Sequence, residues 1–176
     1  MRIRRVVTGH TPQGKAVVAS DSQVEGATVA IAPGLEIHRL WGADEALTYP
    51  DDGGKPSFHQ YFPPVGGVRF GLFTVPPETV LPAEDLNVEA GFEEMEAVWP
   101  GMAAHMEPDA PGMHTTDTMD FEYVISGEVW LQLDDGQEVH LKAGDTVIQS
   151  GTRHAWRNHG SEPCRMVVCL VGAHRR

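Results

Sequence analysis

Apolar and polar residues alternate along much of this chain, in short runs separated by glycine and proline. A period of two puts every second side chain on the same face of a strand. Val6-Val7 and Ala16-Val17-Val18-Ala19 flank the turn-forming Thr11-Pro12-Gln13-Gly14, which predicts a hairpin in the first 20 residues. Further extended pieces are predicted at 28–31, at 36–41 and at 68–75, the last stopped by Pro76-Pro77. Residues 42–66, rich in Gly, Pro and Asp, read as irregular, and so long a stretch without elements implies a role or a surface to wrap.

The period changes once. Over residues 89–99, Phe92, Met95 and Trp99 share one helical face, with Glu93, Glu94 and Glu96 off it, and Pro100-Gly101 ends the run. After residue 114 the two-residue period returns. It predicts strands at 121–125, 128–133, 138–141, 146–149, about 153–158 and 164–171, with Asp134-Asp135-Gly136 and Gly144-Asp145 as turns. Short strands at such even spacing indicate a sandwich or a barrel.

Composition narrows the function classes. A chain of 176 residues suits one domain, and 41% apolar residues supply a core. The formal net charge of -12 repels phosphate backbones, so nucleic acid is not an expected partner. No apolar run approaches the roughly 20 residues needed to cross a bilayer, and the first apolar stretch is too short for a signal-peptide core. A cytoplasmic protein without a membrane partner is the expectation. Cys164 and Cys169, five apart on one strand, would face opposite ways and stay reduced.

Nine histidines are many for this length, and two segments space theirs suggestively. His114, Thr116, Asp120, Glu122 and Val124 share strand parity if the turn near 117–119 preserves it. Gly151 permits a sharp turn, after which His154 and Asn158 share a face.

At these residues the chain resembles the cupin family, in particular its small single-domain conserved-barrel members. Counting back from Gly127, Asp120 falls on the Glu of the first cupin motif, and His114 and Thr116 fall on its two His positions. Gly151, His154 and Asn158 fall on the Gly, His and Asn of the second. The resemblance runs over roughly residues 68–172. It implies an all-β fold: a single cupin-type double-stranded β-helix, or jelly-roll barrel, with an N-terminal strand extension (1–67), a barrel (68–176) and one short helix. It also implies one divalent metal ion held by His114, Asp120 and His154. The departures are Thr116 for a His ligand, Asp120 for a longer Glu, and Gln149 for a Pro. Two imidazoles and one carboxylate form the facial set seen with non-haem Fe, and they also suit Zn, Mn or Ni.

Around that set, Glu122 and His59 are the candidate acid-base groups; His59 and His10 lie where a loop would cap the barrel mouth, and either would serve as a fourth ligand or a proton carrier. Thr116, Trp156 and Asn158 are candidate pocket residues, and Arg153 is placed to meet an anion. His140, His159 and His174 read as surface. The expected function is metal-assisted acid-base chemistry on a small organic molecule, of the dehydratase, isomerase or decarboxylase type. Alternatives are an Fe(II) dioxygenase and a non-catalytic small-ligand binder. Exposed sheet edges and an apolar N-terminal hairpin make a homodimer the expected assembly.

Overall fold

A computed structural model describes residues 1–55 and 58–176. Its strands are β1 (Arg2–His10), β2 (Ala16–Glu25), β3 (Glu36–Ala43), β4 (Val68–Val75), β5 (Thr118–Ser126), β6 (Glu128–Gln132), β7 (Glu138–Lys142), β8 (Thr146–Gln149), β9 (Ala155–Arg157) and β10 (Cys164–Gly172). One α-helix, α1 (Val88–Val98), and a 3₁₀ turn at Ala103–His105 lie between β4 and β5. The predicted helix and the predicted strands, that at 28–31 excepted, are therefore present.

The strands form a five-stranded sheet in the order β3-β4-β10-β5-β8, a three-stranded sheet β7-β6-β9, and the hairpin β1-β2, all antiparallel. The two larger sheets enclose one core. Phe73 and Val75 of β4, Val124 of β5, and Met166, Val168 and Leu170 of β10 pack against Val129 and Leu131 of β6 and Leu141 of β7. This is the jelly-roll barrel. Because β3 is a strand of the larger sheet, the barrel draws in chain from well before residue 68.

Helix α1 closes one side of the core with Met95 and Trp99, two of the three residues its period singled out. Its first turn is capped by the Asn87 side chain, which accepts from the Ala90 N–H at 3.1 Å. Residues 28–31 are not a strand. Ala27 alone pairs, with Ile37, and the Ala30 N–H is taken by the Glu94 carboxylate of α1 at 2.8 Å. A local apolar run cannot signal that a helix distant in sequence will claim its donors.

Residues 44–55 and 58–66 hold no strand or helix, and two arginines bind this stretch to the barrel. Arg39 donates to the carbonyls of His59 and Gln60, and Arg69 donates to those of Gln60, Ala43 and Val68 and pairs with Asp44. Both guanidinium groups lie over the Phe58 ring, at 4.6 and 4.4 Å. The Tyr61 N–H donates to Pro100 O at 2.7 Å, which seats Tyr61 against the end of α1.

Alternation along β10 buries Cys164 and leaves Cys169 on the other face, both as free thiols. Along β5 the same alternation turns Thr118, Asp120, Glu122 and Val124 inward. Two carboxylates thereby enter the barrel interior on the face that carries a fully buried valine.

Candidate functional site

His114 and His154 meet through the backbone. Each N–H donates to the other residue's carbonyl, at 2.9 and 3.0 Å, and the ring centroids are 4.2 Å apart. Gly151 makes the approach possible. Its φ is +61°, and a Cβ there would lie 3.1 Å from the Thr116 carbonyl oxygen. The Nδ1 of His114 bonds Gly112 O at 3.0 Å, and that of His154 bonds Thr152 O at 2.9 Å. A carbonyl only accepts, so both Nδ1 atoms carry the proton and both Nε2 atoms present a lone pair. Burial depresses both rings and keeps them neutral. His154 falls to about 4, from burial first and then from His114, against the Thr152 carbonyl. His114 is lowered by burial, against the Gly112 carbonyl.

Asp120 and Glu122 form the second group. They are only 3% and 6% exposed, and Asp120 Oδ1 and Glu122 Oε2 have no hydrogen-bond partner among the described residues. Burial pushes Asp120 up to about 6, although the Thr118 hydroxyl favours its charged form. Glu122 is driven well above the carboxylate range by burial and then by the Asp120 charge. Two carboxylates so placed do not both ionise readily, and the pair holds a proton at neutral pH.

Two residues that the sequence did not single out belong here. Tyr61, from the wrapped stretch, has its phenol raised by burial and then by the charges of Glu122 and Asp120. A lone Tyr among prolines has no period that would place it. His105, on the 3₁₀ turn, bonds Thr115 O through Nδ1 at 2.8 Å, and its charge would bear on His114. Its ring meets Phe62 edge-on at 4.6 Å. His105, Phe62, Gln60, Asp117, Thr118 and Arg175 help line a cleft of about 620 Å³.

The remaining candidates are placed as follows. Thr116 is buried with its hydroxyl bonded to that of Thr118 at 2.7 Å. Trp156 packs on the core beside Phe73 and His154, at centroid separations of 6.2 and 5.9 Å. His59 is exposed and offers its main-chain carbonyl to Arg39. His10 bonds Asp51 O. Arg153 is not free to meet an anion: Glu107 grips it at 2.6–2.9 Å and Asp134 at 2.9 Å. His140 and His159 lie outside the barrel against Trp130, paired with Glu128, Glu78 and Glu138, and His174 is exposed.

Asn158 is committed to the backbone. Its amide donates to Val75 O at 3.0 Å and Glu162 O at 2.9 Å, and its oxygen accepts from the Gly160 N–H at 2.9 Å. Asn158→Ala is expected to cost about 2 kcal/mol, because it orphans the buried Val75 carbonyl and two partly buried main-chain groups. Urea unfolding checks this, and an unchanged midpoint would return Asn158 to the pocket lining.

Metal holding divides along the same line. The neutral imidazoles, each oriented by a carbonyl on Nδ1, suit two positions on a divalent ion. Asp120 does not join them: among the described residues no three His, Cys, Asp or Glu side chains form a group able to hold an ion. Parity puts Asp120 and the histidines on one inner surface, but Asp120 lies opposite Gln149 in the β5–β8 ladder, while His114 is bridged to His154.

Residues 102–170 match the family described as Cupin domain (Cupin_2). "Phomopsin biosynthesis cluster protein C'" of Diaporthe leptostromiformis is 48% identical over 46 residues, which are 26% of this chain and 24% of that protein. "Cupin-domain-containing oxidoreductase fogC" of Aspergillus ruber is 33% identical over 92 residues, 48% of this chain and 43% of that protein. The matched regions thus span a quarter to under half of these relatives' lengths. Among solved structures, the polyketide cyclase RemF from Streptomyces resistomycificus superposes with a TM-score of 0.46 at 16% identity, covering 84% of this chain and 72% of that one. Among the described residues no helix is long and apolar enough to cross a membrane.

Proposed function

We propose that this chain, a member of the cupin superfamily through its domain at residues 102–170, is an enzyme that moves protons on a small organic molecule inside its barrel. The observation that carries the reading is the inward pair Asp120 and Glu122, each with a buried oxygen left without a partner. A buried unpartnered carboxylate is costly, and such groups cluster at catalytic sites.

The two carboxylates divide the work. Asp120, at about 6, is mostly ionised at neutral pH and takes a proton from the substrate. Glu122, held protonated by burial and by Asp120, gives one back. Tyr61, partly buried and neutral, donates a hydrogen bond to substrate oxygen as negative charge develops there. Such a set suits isomerisation, dehydration or decarboxylation. We take the cleft lined by Thr118, two residues before Asp120 on the inward face of β5, as the route by which a substrate reaches the pair.

A divalent ion (Fe, Zn, Mn or Ni) would be held by Nε2 of His114 and His154, and when bound it would polarise a substrate oxygen. Element analysis of protein purified without added metal is expected to find a divalent ion that is lost in His114→Ala and in His154→Ala. A wild-type chain free of metal would remove the ion from this reading.

The proton chemistry is tested by incubating the chain in D₂O with a panel of small β-dicarbonyl and hydroxycarbonyl compounds, and following C–H exchange by NMR. Exchange above buffer is expected for at least one. A panel wholly inert to the wild type, but bound by it, would make the chain a ligand-binding barrel. A second reading, oxidation by Fe and O₂, draws on the relatives named cupin-domain-containing oxidoreductases. Loss of turnover under argon would select it.

A further inference from the structure

His114 is held by less backbone than the histidine it faces. His154 runs directly into β9, which pairs with β6. His114 lies four residues before β5, outside any strand, and has isolated bridges to Met106 on one side and to His154 on the other. Three short arms therefore lie side by side, with His114 in the middle one. The arms of Met106 and His114 belong to one tight loop. The Glu107 N–H closes it on Met113 O at 3.0 Å, the Ala110 N–H bonds Glu107 O at 3.2 Å, and the Met113 N–H bonds Ala110 O at 2.9 Å. A two-stranded hairpin is marginal by itself in water, so such a loop needs ties from outside.

Arg153 and Glu107 supply one. Arg153 precedes His154 and Glu107 follows Met106, so the pair reaches from one outer arm to the other, past the arm of His114. Arg153 Nε and Nη2 donate to the two Glu107 carboxylate oxygens at 2.6–2.9 Å. Its Nη1 donates to Asp134, in the turn between β6 and β7, at 2.9 Å. A guanidinium and a carboxylate joined by two parallel bonds fix orientation as well as separation. Both side chains are about one-third exposed, at 35% and 36%. An ion pair so exposed adds little to global stability. Its effect is local: it draws the outer arms together around the one between them. His105 ties the same loop a second time, through Thr115 O at 2.8 Å. Loss of the ion pair therefore loosens the loop without releasing it.

We propose that Arg153 and Glu107 are positioning residues for the imidazole pair. Their contact sets how closely His114 approaches His154 and, through that approach, how tightly the two Nε2 atoms hold a divalent ion. The second effect rests on the metal reading of the site, and the first does not.

Two measurements on the full chain test this. Amide hydrogen exchange by NMR, on chain stripped of metal with a chelator, reads the approach, because the His114 and His154 N–H groups each donate to the other's carbonyl. Arg153→Gln and Glu107→Gln are each expected to speed exchange at these two amides about 10-fold by local opening, with the β10 amides and the urea midpoint unchanged. Exchanging the charges, Arg153→Glu with Glu107→Arg, in an Asp134→Asn chain is expected to restore protection toward that of Asp134→Asn alone. Calorimetric titration with Zn²⁺ is expected to show affinity lowered on the order of 10-fold in both single variants, as for loss of a group that supports a metal ligand. Wild-type exchange at His114 and His154 in both single variants overturns the proposal. So does faster exchange spread evenly through β10, which would make the pair a general brace, and so does zinc affinity equal to a wild type that binds. A wild type that takes up no zinc overturns the metal reading alone, and the exchange rates then decide whether the ion pair positions His114.

Discussion

Glu122→Gln is expected to slow turnover by about 100- to 1,000-fold, within the range for loss of a positioned general acid, and to leave the chain folded. Glutamine keeps the shape of the side chain and removes only its exchangeable carboxyl proton. The group replaced is buried, has an oxygen without a partner, and is pressed toward its neutral form by its surroundings and by Asp120. The amide also relieves the repulsion between the two acids, so this variant should unfold later in urea at pH 8 than the wild type does. Gain of stability with loss of rate is the signature of a site strained for function. A variant as active as the wild type in the deuterium-exchange assay would remove Glu122 from the chemistry. One that lost stability instead would show a structural role.

Asp120→Asn and His154→Gln should each change the slope of the stability curve against pH, in opposite directions. Asp120 rises from 3.8 to about 6 on folding. Between those values the folded chain keeps a proton that the unfolded chain has released. Its contribution is thus full below pH 3.8 and lost as pH rises through about 6. His154 moves the other way, from 6.5 to about 4, so the folded chain lacks a proton that the unfolded chain has bound. That contribution is full above pH 6.5 and lost as pH falls through about 4. Each shift of roughly two units corresponds to about 3 kcal/mol. In the wild type these two slopes oppose each other, and Glu122 and His114 add their own.

Asp120→Asn should therefore match the wild type near pH 4 and exceed it by about 3 kcal/mol at pH 8. His154→Gln, set against its own value at pH 8, should gain about 3 kcal/mol on the wild type by pH 4. Urea unfolding at pH 4, 6 and 8 measures both. Curves parallel to the wild type would mean that neither group titrates inside the folded barrel.

These expectations rest on features of different legibility. A period of two identifies strands because backbone geometry alone makes neighbouring side chains face opposite ways. The period of 3.6 at Phe92, Met95 and Trp99 identified α1 on the same kind of argument. Parity on β5 likewise put Asp120 and Glu122 on the face of Val124, and the glycine at 151 announced the turn that delivers His154. Each of these depends only on residues near one another in the chain.

The partner that a side chain meets depends on distance through space, and that was decided by tertiary structure alone. Parity gave His114, Asp120 and His154 a common face but not a common point, and among the described residues no three such side chains form a group able to hold an ion. Arg153 looked free until Glu107, 46 residues away, took it. Asn158 looked like a pocket residue until Val75, 83 residues away, claimed its amide. Tyr61 and His105 carried no local signal, because a loop and a single 3₁₀ turn have no period. Local order follows from the chain's own stereochemistry. Convergence follows from packing, which brings together residues that no spacing rule connects.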